Sequence, residues 1–209
     1  MSARNYFERF GFCARQIAAP PPPDLGITVV LPCFNEPDLV GSLESLRACV
    51  RPSCAAEVIA VINAPANAIP EIHAQNLSTL KQASAWAAER EDPRLRLRFL
   101  HFPDLPPKHA GVGLARKIGM DEALRRFADV GRLHDGIIAC YDADCRCEPN
   151  YLAAIERHFQ QRPRTPACSI YFEHPLDDCS RRREEAASFP PEVVEEGNRL
   201  LTSATTISK

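Results

Sequence analysis

Four short apolar runs, Gly26–Pro32, Ala56–Ile62, Leu95–Leu100 and Ile137–Tyr141, are separated by longer stretches whose apolar residues recur at three- and four-residue intervals. Runs this short, rich in Val, Ile and Leu, suit strands buried in a parallel sheet. The intervening periodicity suits amphipathic helices that cross over its faces. In Asp38–Val50 the residues Leu39, Leu43, Leu46 and Val50 fall on one helical face, and Glu71–Arg90 carries Ile72, Leu77, Leu80, Ala83 and Ala87 in the same way. A third helix is expected to run from the Gly111 region to about Val130, and a fourth over Asn150–Phe159. The alternation predicts an α/β fold with a mostly parallel sheet flanked by helices.

The run Ile137-Ile-Ala-Cys-Tyr141 reads as a strand buried on both faces, and it delivers Asp142-Ala-Asp144 at its carboxyl end. Strand ends of that kind open into the ligand crevice of an α/β sheet. If strand geometry persists, Asp142 and Asp144 point the same way, about 7 Å apart. Two carboxylates so close repel unless a cation or hydrogen-bond donors sit between them. A hard divalent ion, Mg²⁺ or Mn²⁺, carrying phosphate oxygens answers that need. The same residues also fit an ordinary acidic turn that ends the strand and caps the helix near Pro149.

Other classes are disfavoured. A formal net charge of −2 and a pI near 6.3 provide no basic field for nucleic acid or an anionic membrane. No apolar run approaches the ~20 residues of a membrane span, and the N-terminus lacks a signal-peptide core, so a cytoplasmic location is expected. Nine scattered cysteines then read as reduced thiols rather than a disulfide framework. Cys140, Cys145 and Cys147 cluster, but without the paired spacing of structural zinc.

At the N-terminus, Tyr6, Phe7, Phe10, Phe12 and Ile17 suggest a short helix packed on the domain or, alternatively, a peripheral membrane or partner contact. Pro20–Pro23 reads as a stiff spacer. The expected organisation is an N-terminal segment (residues 1–25), a main domain (26–175) and a charged tail (176–209), which ends before any acceptor region. A strand is expected over Ala167–Glu173, then a charged loop and a helix from Pro191 to about Leu201.

Three separated pieces resemble family 2 glycosyltransferases. Val29-Val-Leu-Pro-Cys-Phe-Asn-Glu36 is similar to their opening strand and loop. Lys108-His-Ala-Gly-Val-Gly-Leu-Ala-Arg-Lys-Ile-Gly119 is similar to the loop entering their next helix, and Tyr141-Asp-Ala-Asp144 to their Asp-x-Asp motif. The resemblance spans roughly residues 26–172. It implies the nucleotide-sugar-binding half of a GT-A, Rossmann-like fold and transfer of a sugar from a nucleoside diphosphate to an acceptor, with inversion.

Carried over, it assigns Pro32, Phe34, Asn35 and Glu36 to the nucleoside pocket and Asn63 to base recognition. Gly111, Gly113, Arg116 and Lys108 fall to the ribose and diphosphate, a role that glycines, a helix start and a forked guanidinium also suit on physical grounds. Asp142 is assigned to ribose or metal-bound water, and Asp144 to the metal. The loop also fits a plain glycine-containing turn with a solvated Arg-Lys pair. No general base is matched; Glu173, Asp177 and Asp178 are the candidates. A non-catalytic nucleotide-sugar-binding remnant and a sugar-phosphate nucleotidyltransferase stand as alternatives. Against the latter, Pro32-Cys-Phe-Asn-Glu36 occupies the place of its Gly-rich, basic loop.

Overall fold

The computed structural model describes residues 3–173, and the chain divides into two compact units, Met1–Thr165 and Pro166–Lys209. In the first unit the order is α1 (Ala3–Phe10), β1 (Leu25–Cys33), α2 (Leu39–Ala48), β2 (Ala55–Pro65), α3 (Pro70–Ala88), β3 (Leu95–Leu105), α4 (Val112–Asp129), β4 (Ile137–Cys140) and α5 (Tyr151–Gln161). The four strands form one all-parallel sheet in the order β3-β2-β1-β4. The chain is therefore α/β, as the alternation predicts. In the second unit residues 166–173 form no helix or strand, so the strand expected over 167–173 is absent. The loop and helix expected beyond it lie outside the described residues.

Strand order makes the sheet directional. From β1 the chain steps outward through β2 to β3, then returns to place β4 on the other side of β1. A reversal of this kind leaves a crevice at the carboxyl ends of the strands flanking it. The two faces of the sheet are filled differently. Ile27, Val29, Leu31, Val58, Ala60 and Ile62 pack with Leu43 and Leu46 of α2, Ala83 of α3, and Leu152 and Ile155 of α5. Ile59 and Val61 point the other way, towards Ala115, Ile118, Ala123 and Phe127 of α4. The alternation follows from the period-two side-chain geometry of a strand covered on both faces.

α4 lies closest to the sheet at Gly119, where an added Cβ would overlap Val30 Cγ1 and come within 3.3 Å of Val61 Cγ2. Gly119→Ala improves helix propensity by about 1 kcal/mol, but it forces two β-branched side chains of the sheet apart. We expect a net loss of about 1–3 kcal/mol in urea denaturation; unchanged or raised stability would mean that α4 is free to back away.

The N-terminal residues belong to this unit. Tyr6 Oη donates to Asp121 Oδ1 (3.0 Å), and the backbone amides of Gln16 and Ile17 donate to Glu122 (3.2 and 3.0 Å). Ile17 is buried in the α4-side core, and Pro22, further along the arm, is buried too. The run read as a spacer is thus the end of a docked arm. The arm also reaches a buried ion pair: Arg126 of α4 grips Glu57 of β2 through two hydrogen bonds, one of 2.6 Å between Nη2 and Oε1, and donates to Ala19 O at 2.9 Å. Both side chains are completely buried.

β4 differs from expectation. It has four residues and pairs, among the described residues, with β1 only, so Ile137 and Ile138 are half-covered rather than buried on both faces. Strand geometry ends at Cys140, and residues 142–145 close a turn in which Cys145 N donates to Asp142 O (3.1 Å). That turn does not cap the following helix: α5 starts at Tyr151 after Asn150, which makes no side-chain cap. β3 is longer than its apolar run, continuing through Pro103 to Leu105. Proline is tolerated there because β3 has a neighbour on one side only among the described residues.

Candidate functional site

A crevice is present at the carboxyl ends of β1 and β2, one strand away from the β1–β4 reversal where the strand order places it. A cavity of about 240 Å³ is lined by Pro32, Cys33, Phe34, Asn63, Ala110, Gly111 and Val112. Four residues singled out from sequence, Pro32, Phe34, Asn63 and Gly111, therefore share one cleft. Its rim is apolar and open: Phe34 is 48% and Val112 54% exposed. Gly111 is the N-terminal cap of α4 and makes no side-chain cap, so the first-turn amides of an 18-residue helix lie at the cleft without a side-chain acceptor from that position. A Cβ at Gly111 or Gly113 would meet nothing within 4 Å. Packing within the protein does not require glycine at either place.

The loop after β1 is shaped from behind by α3. Asn35 sits at φ +50°, a left-handed conformation that asparagine tolerates better than most residues. Its amide donates to Asn76 Oδ1 (2.8 Å), and Asn76 Nδ2 donates to Asn63 O (2.9 Å), so one buried side chain ties the ends of β1 and β2 together. Thr79 adds a hydrogen bond to Glu36 O (2.7 Å). Glu36 turns its carboxylate to the amide of Asp38 (2.8 Å), and neither it nor Asn35 lines the cavity. Asn76 and Thr79 were not singled out from sequence. The signal was present: two polar residues at i and i+3 on the face of a helix that meets the sheet.

The acidic turn lies at the end of β4. Tyr141 and Ala143 point inward and are buried, whereas Asp142 and Asp144 are exposed. Ser42 of α2 holds the turn, its hydroxyl reaching the carbonyls of Ala143 (2.5 Å) and Cys145 (2.8 Å), and Arg146 donates to the same hydroxyl (2.8 Å). Asp142 forms an ion pair with Arg116, one turn into α4 from the cleft. Arg116 Nε is covered and has no hydrogen-bond partner among the described residues. Asp144 does not join this pair; its Oδ1 meets Cys145 Sγ at 3.7 Å. Lys108 is exposed on the loop before α4 and does not line the cavity.

The thiol of Cys140 is raised, chiefly by burial, with Arg116 opposing the shift and Asp142 adding to it. Among the described residues no group of three or more His, Cys, Asp or Glu side chains is arranged to hold a metal ion. Any ion at Asp142 and Asp144 would draw its remaining ligands from elsewhere.

Glu173 belongs to the second unit, where Tyr171 donates to it, and Asp177 and Asp178 lie outside the described residues. No helix among the described residues is long and apolar enough to cross a membrane. Comparison with models of known protein families finds no match to this chain, and comparison with curated proteins finds none either.

Proposed function

We propose that the chain binds a nucleoside diphosphate sugar and transfers the sugar to an acceptor hydroxyl, as a metal-dependent glycosyltransferase of the GT-A type. The observation that carries this reading is the convergence of Pro32, Phe34, Asn63 and Gly111 on one cleft at the strand ends, with the Arg116–Asp142 pair beside the first turns of α4. In this reading the base enters between Phe34 and Val112, two apolar side chains that can cover its faces. Asn63 offers a hydrogen-bonding edge. The diphosphate lies against the open first turn of α4, where helix amides favour anions, and Arg116 turns from Asp142 to phosphate oxygens.

The chemistry of the acidic turn fits a hard divalent ion: two exposed carboxylates on a turn anchored by Ser42 suit Mg²⁺ or Mn²⁺, which takes one or two protein carboxylates and completes its shell with phosphate and water. Such an ion, when bound, supplies neutralisation of the charge that grows on the departing diphosphate. Arg116 shares that task. The acceptor oxygen attacks the anomeric carbon as the bond to the diphosphate breaks, inverting the configuration. No residue is assigned as its general base.

Calorimetric titration with a panel of nucleoside diphosphates and nucleotide sugars, with and without Mn²⁺ and paired with a donor-hydrolysis assay, tests the reading. Metal-dependent binding with hydrolysis is the expected result. Binding without turnover would favour a nucleotide-sugar-binding protein that performs no transfer, and absence of binding would overturn both. In the same assay Arg116→Ala is expected to weaken the nucleoside diphosphate by about tenfold and the bare nucleoside far less. Equal losses for the two ligands would remove Arg116 from the phosphate site.

A further inference from the structure

We propose that Cys49 and Cys147 are a modification site: a thiol pair that a hydroperoxide converts to a reversible disulfide, latching the end of α2 to the loop that follows the acidic turn. The inference is independent of the transferase reading. The two sulfurs lie 3.5 Å apart although the residues are 98 positions apart in the chain. Cys49 is the C-cap of α2 and almost fully buried, and Cys147 lies half-buried in a loop without helix or strand. The two backbones already run side by side, since Val50 N donates to Pro149 O at 2.7 Å. A disulfide requires about 2.05 Å between sulfurs, and the irregular backbone over 145–148 can supply the remaining approach.

The surroundings make the pair asymmetric. Ser45, one helical turn before Cys49, places its hydroxyl 3.6 Å from Cys147 Sγ, 3.3 Å from Cys147 N and 3.3 Å from Tyr141 Oη. Cys49 Sγ in turn meets the carbonyls of Ser45 (3.4 Å) and Glu148 (3.6 Å), which accept but do not donate. Cys49 Sγ thus faces two acceptors, which favour its protonated form and leave it as the thiol of the pair, while the Ser45 hydroxyl donates to Ser42 O (2.8 Å) and accepts from Cys147 N. The Cys49 thiol first, with a smaller contribution from the Tyr141 hydroxyl, stabilises the Cys147 thiolate and holds its pKa below the ordinary thiol range, against the opposing effect of burial. Other thiols are shifted the opposite way: burial pushes Cys33 up to about 12 and Cys54 up to about 11, and Cys140 and Cys145 are also raised.

The reaction balances. The Cys147 thiolate attacks one peroxide oxygen, the O–O bond breaks and hydroxide leaves, giving a sulfenic acid. Cys49 sulfur then displaces the sulfenic oxygen as water. Two thiols and one hydrogen peroxide become one disulfide and two waters, with two electrons passing from sulfur to oxygen. A dithiol reductant reverses the change by exchange.

The full reduced chain is treated with one equivalent of hydrogen peroxide at pH 6, quenched with iodoacetamide and mapped by mass spectrometry. At that pH an ordinary thiol is only about 0.3% ionised, so the thiolate advantage of Cys147 is large. The Cys49–Cys147 linked peptide is expected as the main product, formed about tenfold faster than oxidation of the exposed Cys168 and lost on treatment with dithiothreitol. In Cys49→Ser, dimedone is expected to trap Cys147 as its sulfenic acid; in Cys147→Ser, Cys49 stays reduced. Oxidation at Cys147 no faster than at Cys168, a link from Cys147 to another cysteine, or a dimedone adduct at Cys49 would overturn the proposal. Mapping of the unmutated chain decides the matter even if a variant folds poorly.

Discussion

Glu57→Ala is expected to lose about 3–5 kcal/mol of folding stability, a drop in melting temperature on the order of 10 °C for a chain of this size. Glu57 and Arg126 are both wholly buried, and Arg98 Nε approaches the same carboxylate at 3.7 Å. The pair itself is weak evidence of net stabilisation, because taking two charges out of water offsets most of their attraction. Breaking it is different. Alanine at 57 leaves the Arg126 guanidinium buried opposite a void, with Ala19 O as its remaining acceptor in the arm. Urea denaturation followed by circular dichroism measures the loss. A double replacement, Glu57→Leu with Arg126→Met, is expected to recover most of it, since apolar residues of similar volume remove the charge together with its partner. A single-variant loss below about 1 kcal/mol would show that Arg126 finds water or another acceptor.

The second large effect is expected at Asp144. If Asp142 and Asp144 hold a divalent ion against a diphosphate, Asp144→Ala removes at least about tenfold of the Mn²⁺-dependent gain in nucleoside diphosphate affinity. The melting temperature should move by no more than about 2 °C, as for other surface changes. The separation of the two readouts follows from the turn itself: Asp144 is exposed, and the fold is held there by buried Ala143 and by Ser42 hydrogen-bonding the turn's carbonyls. Asp144 is a cleaner probe than Asp142, whose loss would also release Arg116. A variant that keeps its full Mn²⁺-dependent gain would place any ion elsewhere.

β1 and β2 could be read from sequence because they are central strands. β1 is buried at every position and β2 at every position before Pro65, so nothing interrupts their Val, Ile, Leu and Ala runs. The flanking strands were harder. β3 passes through Phe102-Pro103-Asp104, which looks like a loop until Leu105 is seen in register with Pro65. β4 ends earlier than its apolar run: Tyr141 N still donates to Val30 O of β1 (3.0 Å), its ring meets the edge of Tyr151 at 5.5 Å, and the acidic turn begins at the next residue.

The site divides along the same line. Pro32, Phe34, Asn63 and Gly111 lie at element ends, where a sequence marks its own boundaries. The tie between the strand ends depends on Asn76 in α3, and the anchoring of the acidic turn depends on Ser42 in α2. Both are buried polar residues whose partners lie 13, 41 and 103 positions away, on other elements, a relation that no local pattern encodes. The buried Glu57–Arg126 pair was hidden for the same reason, since charged residues normally mark a solvated face.

α4 is a single rod about 27 Å long at the usual rise of an α-helix. Its N-cap Gly111 lines the cleft and Arg116, one turn on, pairs with Asp142; Gly119 seats its middle on β1, and Asp121, Glu122 and Arg126 take hold of the N-terminal arm. A packed helix transmits displacement along its axis instead of absorbing it. The arm therefore works as ballast at one end of a beam whose other end holds the Arg116 guanidinium against Asp142, and a change at residues 3–20 would be felt along the whole rod.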